Sequence, residues 1–506
     1  MPQPRLSMCM IARDSARTLR AALDSIRPWV DEMVVVDTGS VDATPEIAAA
    51  CGARVAHFPW CDDFAAARNE SLRLASGDWL FWMDSDDTID AANGRALRAL
   101  ADAAHPPALL GFVVQVQCPP ADDEPEHESA VAVDHVKLLR NDPRLRFSGR
   151  IHEQILPAIR RLGGEVRWTD IAVRHSGADT SPEGRRRKQA RDLHLLQLEL
   201  AEHPDDSFAL FNLGMTLLDA GQTEPALLQL CRSLVLSDPG ESHVRKIHAL
   251  LVQAYTALGR LETALKTCLA GLQAFPDDKE LLFRRGVVAQ RLGRLAEAEQ
   301  AFRAVLAPRQ RRHLSSVDVG MFGVKAWRNL AVLYDAGGRP DAAAQAWLEV
   351  LDRDADSLTA WWGLLTAATA VPVVLPRPPD GARFAEVRVA AAACEPLAAG
   401  LTAQALERFE AAVAGDASVA LRDLACRVAF RCQAWERAER WLAAMLLAAP
   451  DNAPAWFNLA IARFQRGGYV GAIEAVRRSL ALRPGYPAAE RLLADVERRL
   501  AGEVGR

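Results

Sequence analysis

Nowhere in this chain do about 18 uncharged apolar residues run together, so no membrane-spanning helix is expected. Met1 to Met10 hold no basic segment leading into an apolar stretch, which argues against a secretory leader. The nine cysteines are scattered, with no CxxC pair and no regular spacing. That pattern excludes a disulfide frame or zinc site and suits small core residues in a reducing compartment. Basic charge is not in excess either. A net charge of −5 gives no footprint for nucleic acid or an anionic membrane. The glycine-rich dinucleotide fingerprint and the phosphate-loop GxxxxGK[ST] are both missing. A soluble, cytoplasmic protein is the expectation. At 506 residues it exceeds one ordinary core and should divide into two or more domains.

One stretch organises what is present. Trp79 to Met83 are five bulky apolar residues that read as a buried strand, and Asp84, Asp86 and Asp87 follow at its carboxyl end. Crowded carboxylates repel and desolvate badly unless a positive partner joins them. A divalent cation with oxygen ligands, its shell completed by a nucleotide diphosphate, would serve. A polar turn capping the next helix is the plainer alternative.

Ahead of that stretch, strands and helices alternate. Leu6–Ala12 reads as a strand and Ala16–Ile26 as an amphipathic helix, with Leu19, Ala22, Leu23 and Ile26 on one face. Met33–Val36 is a strand, and Pro45–Cys51 a helix with Thr44 as its cap. Val55–Phe58 is a third strand and Phe64–Leu74 a helix, with Asp62-Asp63 as its cap. Such alternation signals a parallel α/β sheet, whose ligands bind at strand carboxyl ends. Ala12-Arg13-Asp14, Asp37-Thr38-Gly39-Ser40 and Asp84-Ser85-Asp86 all fall at such ends. Asp37 is suited to accept from a base or ribose hydroxyl, and Gly39 lets backbone approach a ligand. Further on, Gly111–Gln117 reads as a strand, Pro119–Ser129 as a mobile surface loop and His135–Leu139 as an edge strand.

Four of these segments, Met10–Asp14, Val34–Thr44, Asp63–Asn69 and Gly77–Asp86, resemble in order and spacing the family-2 glycosyltransferases. The resemblance covers roughly residues 5–180 and implies a GT-A-type fold with a DxD metal site. It implies that Asp37 contacts the uracil or ribose side of a sugar nucleotide. Arg68 and Asn69 would lie near the diphosphate or sugar, and Asp84, Ser85 and Asp86 near metal, ribose and pyrophosphate. Where relatives commonly show Asn-Glu this chain has Arg13-Asp14. Arg68-Asn69 can also be read as a solvated helix face. An inverting transfer needs a base to take the acceptor proton. His152-Glu153, in a loop with Gly149 after an apolar strand, is the candidate, and a similar His-Glu in related transferases favours it over a surface pair. His175, ending the strand Ile171–His175 ahead of Gly177, is the candidate third metal ligand beside Asp84 and Asp86, or else a structural histidine. The cofactor implied is Mg²⁺ or Mn²⁺.

From Pro182 the composition turns helical. Glu183 to Lys188 open a long helix to about His203, their basic run a solvated face. Beyond it, Leu210-x2-Leu213-Gly214, Trp327-x2-Leu330-Ala331 and Trp456-x2-Leu459-Ala460 recur, and Ala264 to Ala298 and Ala438 to Ala472 are each 34 residues apart. This resembles tetratricopeptide repeats. The expected organisation is a transferase domain at 1–180, a linker helix at 181–204, repeats at 205–370, a proline-rich break at 371–395 and further repeats with a capping helix at 396–506. Pro308 to Gly323 should lengthen one repeat. The repeats either hold a protein, peptide or glycan acceptor or only stabilise the enzyme. Two rival readings share the same motifs: a binding scaffold with an inactive transferase domain, and a nucleotidyltransferase that consumes a nucleoside triphosphate.

Overall fold

A computed structural model describes residues 4–118, 131–177, 181–308 and 317–504. The expected loop at Pro119–Ser129 lies outside the described residues, as does most of the expected repeat extension before Gly323. The chain divides into two compact units, Met1–Ala326 and Trp327–Arg506.

The first unit opens with β1 (Leu6–Ala12), α1 (Leu19–Ile26), β2 (Glu32–Asp37), α2 (Thr44–Ala50), β3 (Arg54–His57), α3 (Phe64–Leu74) and β4 (Trp79–Met83). A short β5 (Asp87–Thr88), α4 (Ala91–Asp102), β6 (Leu109–Cys118), β7 (Val131–Arg140), α5 (Leu156–Arg161) and β8 (Glu165–His175) follow. The sheet runs β3-β2-β1-β4-β7-β6-β8-β5, with β1 to β4 mutually parallel and β7 antiparallel to both β4 and β6. Alternate strand residues feed two separate cores, as a period of two requires. Met8, Met10, Val35, Phe81 and Met83 pack with Leu23, Ile26 and Leu97 on one side. Cys9, Val34, Leu80 and Trp82 pack with Ala65, Leu72 and Ile159 on the other. Both faces are therefore packed at β1, β2 and β4, and these strands are almost wholly apolar because neither of their faces meets water.

Parallel register brings the strand ends together: Ala12 lies beside Asp37, and Met10 beside both Val35 and Met83. Two local expectations change. Thr44 does not cap α2; the cap position is Ala43, and Thr44 is the first helical residue. Asp42 takes both the Thr44 amide and its hydroxyl, because a carboxylate in the same loop is the stronger acceptor. The segment His135–Leu139 is no edge strand but the middle of the sheet, since its charged residue, Lys137, is buried rather than exposed. Of the two acids before α3, Asp63 is the cap, accepting from the Ala66 amide, while Asp62 adopts a left-handed conformation.

The rest of the unit is α6 (Pro182–Glu202), then three antiparallel helix pairs: α7 (Ser207–Asp219) with α8 (Thr223–Leu236), α9 (Val244–Ala257) with α10 (Leu261–Ala274), and α11 (Lys279–Arg291) with α12 (Leu295–Leu306). A two-residue β9 (Val317–Asp318), not foreseen from sequence, returns to pair with β7. Helix α13 (Val324–Ala336) spans the division at Ala326, and the second unit continues with α14 (Pro340–Arg353), α15 (Leu358–Ala368), α16 (Ala385–Cys394), α17 (Thr402–Ala412), α18 (Val419–Arg431), α19 (Trp435–Ala448), α20 (Ala453–Gln465), α21 (Tyr469–Leu482) and α22 (Pro487–Val504). Small residues let paired helices close. A methyl group on Gly286 would meet the Phe302 ring at 2.6 Å, and one on Gly214 the Leu230 side chain at 2.6 Å. Among the described residues no helix is long and apolar enough to cross a membrane.

Candidate functional site

The loops after β1, β2 and β4 are stitched to one another. The Asp14 amide donates to Ser40 Oγ at 2.9 Å, and the Val41 amide returns a bond to Asp14 Oδ1 at 2.8 Å. Ser15 joins Ser85 hydroxyl to hydroxyl at 2.8 Å, and its amide donates to Thr44 Oγ1. Asp14 holds φ +48°, and Gly39 φ +101° with open space where a side chain would stand. Arg13 is exposed and 3.9 Å from Asp14. Asp37 is buried, and its carboxylate accepts from the Gly39 and Ser40 amides and from His57 Nδ1. Burial raises its pKa, but the bonds from Ser40 and Gly39 outweigh that and leave it below the ordinary carboxylate value.

At the end of β4, electrostatics separates the three aspartates. Asp87 is fully buried and pairs with Lys137 Nζ at 2.6 Å and His175 Nδ1 at 3.0 Å. Burial opposes its charge, yet Lys137 and His175 hold the carboxyl well below the usual range. Asp84 is half-buried. Burial opposes its charge too, and Lys137 and Arg68 outweigh it. Asp86 goes the other way, pushed up by burial, with His175 at 3.4 Å. The bond from Asp87 raises the His175 imidazole above its ordinary value. Ligand atoms of Asp84, Asp87 and His175 all lie within 4.8 Å of one another. The expected set had Asp86 where this geometry brings in Asp87. Two carboxylates, one fully buried, and an imidazole suit a hard or borderline divalent cation.

Arg68 links this cluster to the His152-Glu153 loop. It is buried on α3, with Nη2 3.1 Å from Asp84 Oδ1 and Nε 2.5 Å from Glu153 Oε1. Its guanidinium lies 4.1 Å from the centre of the Trp82 ring, and Lys137 Nζ lies 3.8 Å from the same ring. Its remaining nitrogen, Nη1, is buried with no hydrogen-bond partner among the described residues. A desolvated cationic donor of that kind costs stability unless an acceptor reaches it. Asn69 is committed elsewhere: its amide exchanges two bonds with the Phe147 backbone, at 2.9 and 2.8 Å, and so ties α3 to the start of the loop. His152 takes a left-handed φ of +53°, and burial lowers its imidazole pKa.

Thus Asp84, Asp86, Arg68, Glu153 and His175 converge, while Asp37, Gly39, Ser40, Ala12, Arg13 and Asp14 form a neighbouring rim at the ends of β1 and β2. Sequence reasoning missed Lys137 and the Trp82 seat shared by the two cations. The available signal was a lone lysine in the apolar run Val136-Lys137-Leu138-Leu139, which a solvated edge would not require.

Comparison with known proteins identifies matches for both parts of the chain. Residues 7–154 match the family model for glycosyl transferase family 2, and residues 250–312 and 427–487 match that for the tetratricopeptide repeat. A TPR repeat-containing protein of Synechococcus elongatus is 31% identical over 275 residues, covering 53% of this chain and 66% of that protein. The SPbeta prophage-derived glycosyltransferase SunS of Bacillus subtilis is 22% identical over 234 residues, covering 46% of this chain and 53% of its own length. The chain thus spans between about half and two thirds of these relatives. A solved tetratricopeptide repeat protein from Parabacteroides merdae overlays with TM-score 0.39 and 14% identity, over 57% of this chain and 98% of that one.

Proposed function

From a chain that carries a family-2 glycosyltransferase domain at residues 7–154 and tetratricopeptide repeats behind it, we propose a metal-dependent, inverting transfer of a sugar from a UDP-sugar to a protein, peptide or glycan acceptor. The observation that carries this reading is Arg68. One buried guanidinium joins the acidic cluster to Glu153 and keeps Nη1 free for a diphosphate oxygen.

In this reading Asp37 accepts from the uracil or a ribose hydroxyl, and the backbone at Gly39 and Ser40 borders the nucleotide. Asp84 and His175, with Asp87 or Asp86 completing the set, would hold Mg²⁺ or Mn²⁺. That ion, when bound, supplies Lewis-acid stabilisation of the departing diphosphate. Glu153 takes the proton of an acceptor hydroxyl as its oxygen bonds to the anomeric carbon, and the sugar–phosphate bond breaks to release the nucleoside diphosphate. Arg68 holds the Glu153 carboxylate in place through Nε, 2.5 Å from Oε1. In the second unit, a cavity of about 470 Å³ lined by Thr369, Asp423, Arg427, Phe430, Arg431 and Asn458 supports the repeats as an acceptor-holding surface.

The test is a thermal-shift panel of UDP, GDP, UDP-glucose, UDP-GlcNAc and GDP-mannose, each with and without Mn²⁺. A rise with one UDP-sugar that requires the metal is expected, by linkage of binding to folding. A flat response to every UDP compound would sink the reading.

A further inference from the structure

Proximity alone would make Asp87 a metal ligand beside Asp84 and His175. Its hydrogen bonds give it another task. Asp87 opens β5 and stands opposite His175, the last residue of β8, in antiparallel register, so the backbone itself sets the two side chains together. The pairing runs on past them, where the Ser176 amide donates to the Asp86 carbonyl at 3.1 Å. Asp87 Oδ1 meets His175 Nδ1 at 3.0 Å. Its Oδ2 accepts from Lys137 Nζ at 2.6 Å and from the Asp84 amide at 3.1 Å. Both oxygens are occupied, and the side chain is shut from solvent. A cation reaching Asp87 would have to displace a buried ammonium.

The group that this arrangement constrains is the imidazole. A carboxylate only accepts, so Nδ1 carries the proton and, in the neutral ring, Nε2 keeps the lone pair for a ligand. The side chains of His175 and Asp84 remain 32% and 35% exposed, open enough for an ion to reach them. Asp86 has no lysine or arginine partner among the described residues, and its Oδ1 stands 3.4 Å from the ring. A buried lysine–aspartate pair costs desolvation that apolar residues of similar volume avoid, so stability alone does not call for one here. Carboxylates bonded to the far nitrogen of a histidine commonly orient metal-binding imidazoles.

We propose that Asp87 is a positioning residue, held by Lys137, that fixes His175 with Nδ1 turned to the core and Nε2 left for a divalent cation shared with Asp84 and Asp86. The inference rests on the metal-dependent reading of this cluster and assigns which of its acids bind and which one orients.

The test is the Mn²⁺ affinity of the full chain, read from the electron paramagnetic resonance of the free ion with no sugar nucleotide present. Replacing the pair together, Lys137→Met with Asp87→Leu, leaves the net charge of the cluster unchanged. Affinity is expected to fall by about 10–100-fold, the usual cost of losing a partner behind a metal-binding histidine. In a His175→Gln background the same replacement should change little, because its effect passes through the ring. Asp86→Asn should weaken binding in both backgrounds. A loss from the pair that is equally large with and without His175 would make Asp87 a ligand and overturn the proposal, as would parental affinity in Asp86→Asn. Should the paired variant fail to fold, Asp87→Asn takes its place in the same comparison. No Mn²⁺ binding by the parent chain would remove the metal-dependent reading and this inference with it, whereas either of the other two results removes this inference alone.

Discussion

Glu153 and Lys137 show how single side chains divide the labour. Glu153→Gln keeps the shape of the loop and removes the base. The donor-induced thermal shift should survive, while transfer falls by about 10²–10⁴-fold, measured as nucleoside diphosphate release. An unchanged rate would move the base elsewhere. Lys137 and Asp87 are both fully buried. Lys137→Met takes from Asp87 its buried cation, leaving only His175 beside it, and should cost about 3–5 kcal/mol in urea unfolding. Adding Asp87→Leu should restore most of that loss, because removing both charges also removes the desolvation penalty. Short continuous apolar runs made β1, β2 and β4 legible, and the aspartates that follow β2 and β4 with them. Lys137 stayed illegible because a lysine is ordinarily a surface residue; only its seat on Trp82 and Asp87 explains its burial.

Among the helical elements, turns and buried charges set the tolerance. Gly221, Gly259 and Gly293 all take a left-handed φ between the helices of a pair, and Gln433 stands at the corresponding place between α18 and α19 with φ +54°. Gln433→Gly should stabilise the second unit by about 1 kcal/mol, since glycine adopts that conformation without a Cβ clash. A fall in the melting temperature would refute this. Between α9 and α11, Glu280 is buried with Lys246, Arg245 and Arg284 around it. Burial raises its pKa, but the three cations outweigh that and bring it to about 2. A depressed carboxyl contributes stability in full above its unfolded value, about 4.3, and loses it as pH falls through the folded value. The stability difference between the parent chain and Glu280→Gln should therefore be constant above about pH 5 and shrink between about pH 4 and about 2. A difference that stays level through that window would mean the network does not hold Glu280 ionised. The repeat spacing foretold these helices, but not which charges would face inward across a pair, since that depends on how deep the groove is.

For the whole molecule, the two compact units allow a sharper separation. All the residues assigned to the donor lie in Met1–Ala326. A chain ended at residue 323 should keep the metal-dependent shift with its sugar nucleotide, and calorimetry of the full chain with donor should raise only the transition belonging to the first unit. Loss of the shift in the shortened chain would place part of the donor site in Trp327–Arg506.

Strand ends, acidic turn, His-Glu loop and repeat spacing are local patterns, so the order of residues determined a mixed α/β domain ahead of a helical array. Hydrophobic period and turn chemistry act over a few residues, and they need no knowledge of what lies across the fold. The tertiary structure decided the rest. It chose Asp87 over Asp86 as the carboxylate paired with Lys137, because burial raises one acid while the buried cation lowers the other. It set β7 in the middle of the sheet, bent Arg68 from α3 between Asp84 and Glu153, and laid α6 against Ile151. Each of these joins residues tens of positions apart. Their energies depend on desolvation and distance, which sequence spacing does not encode.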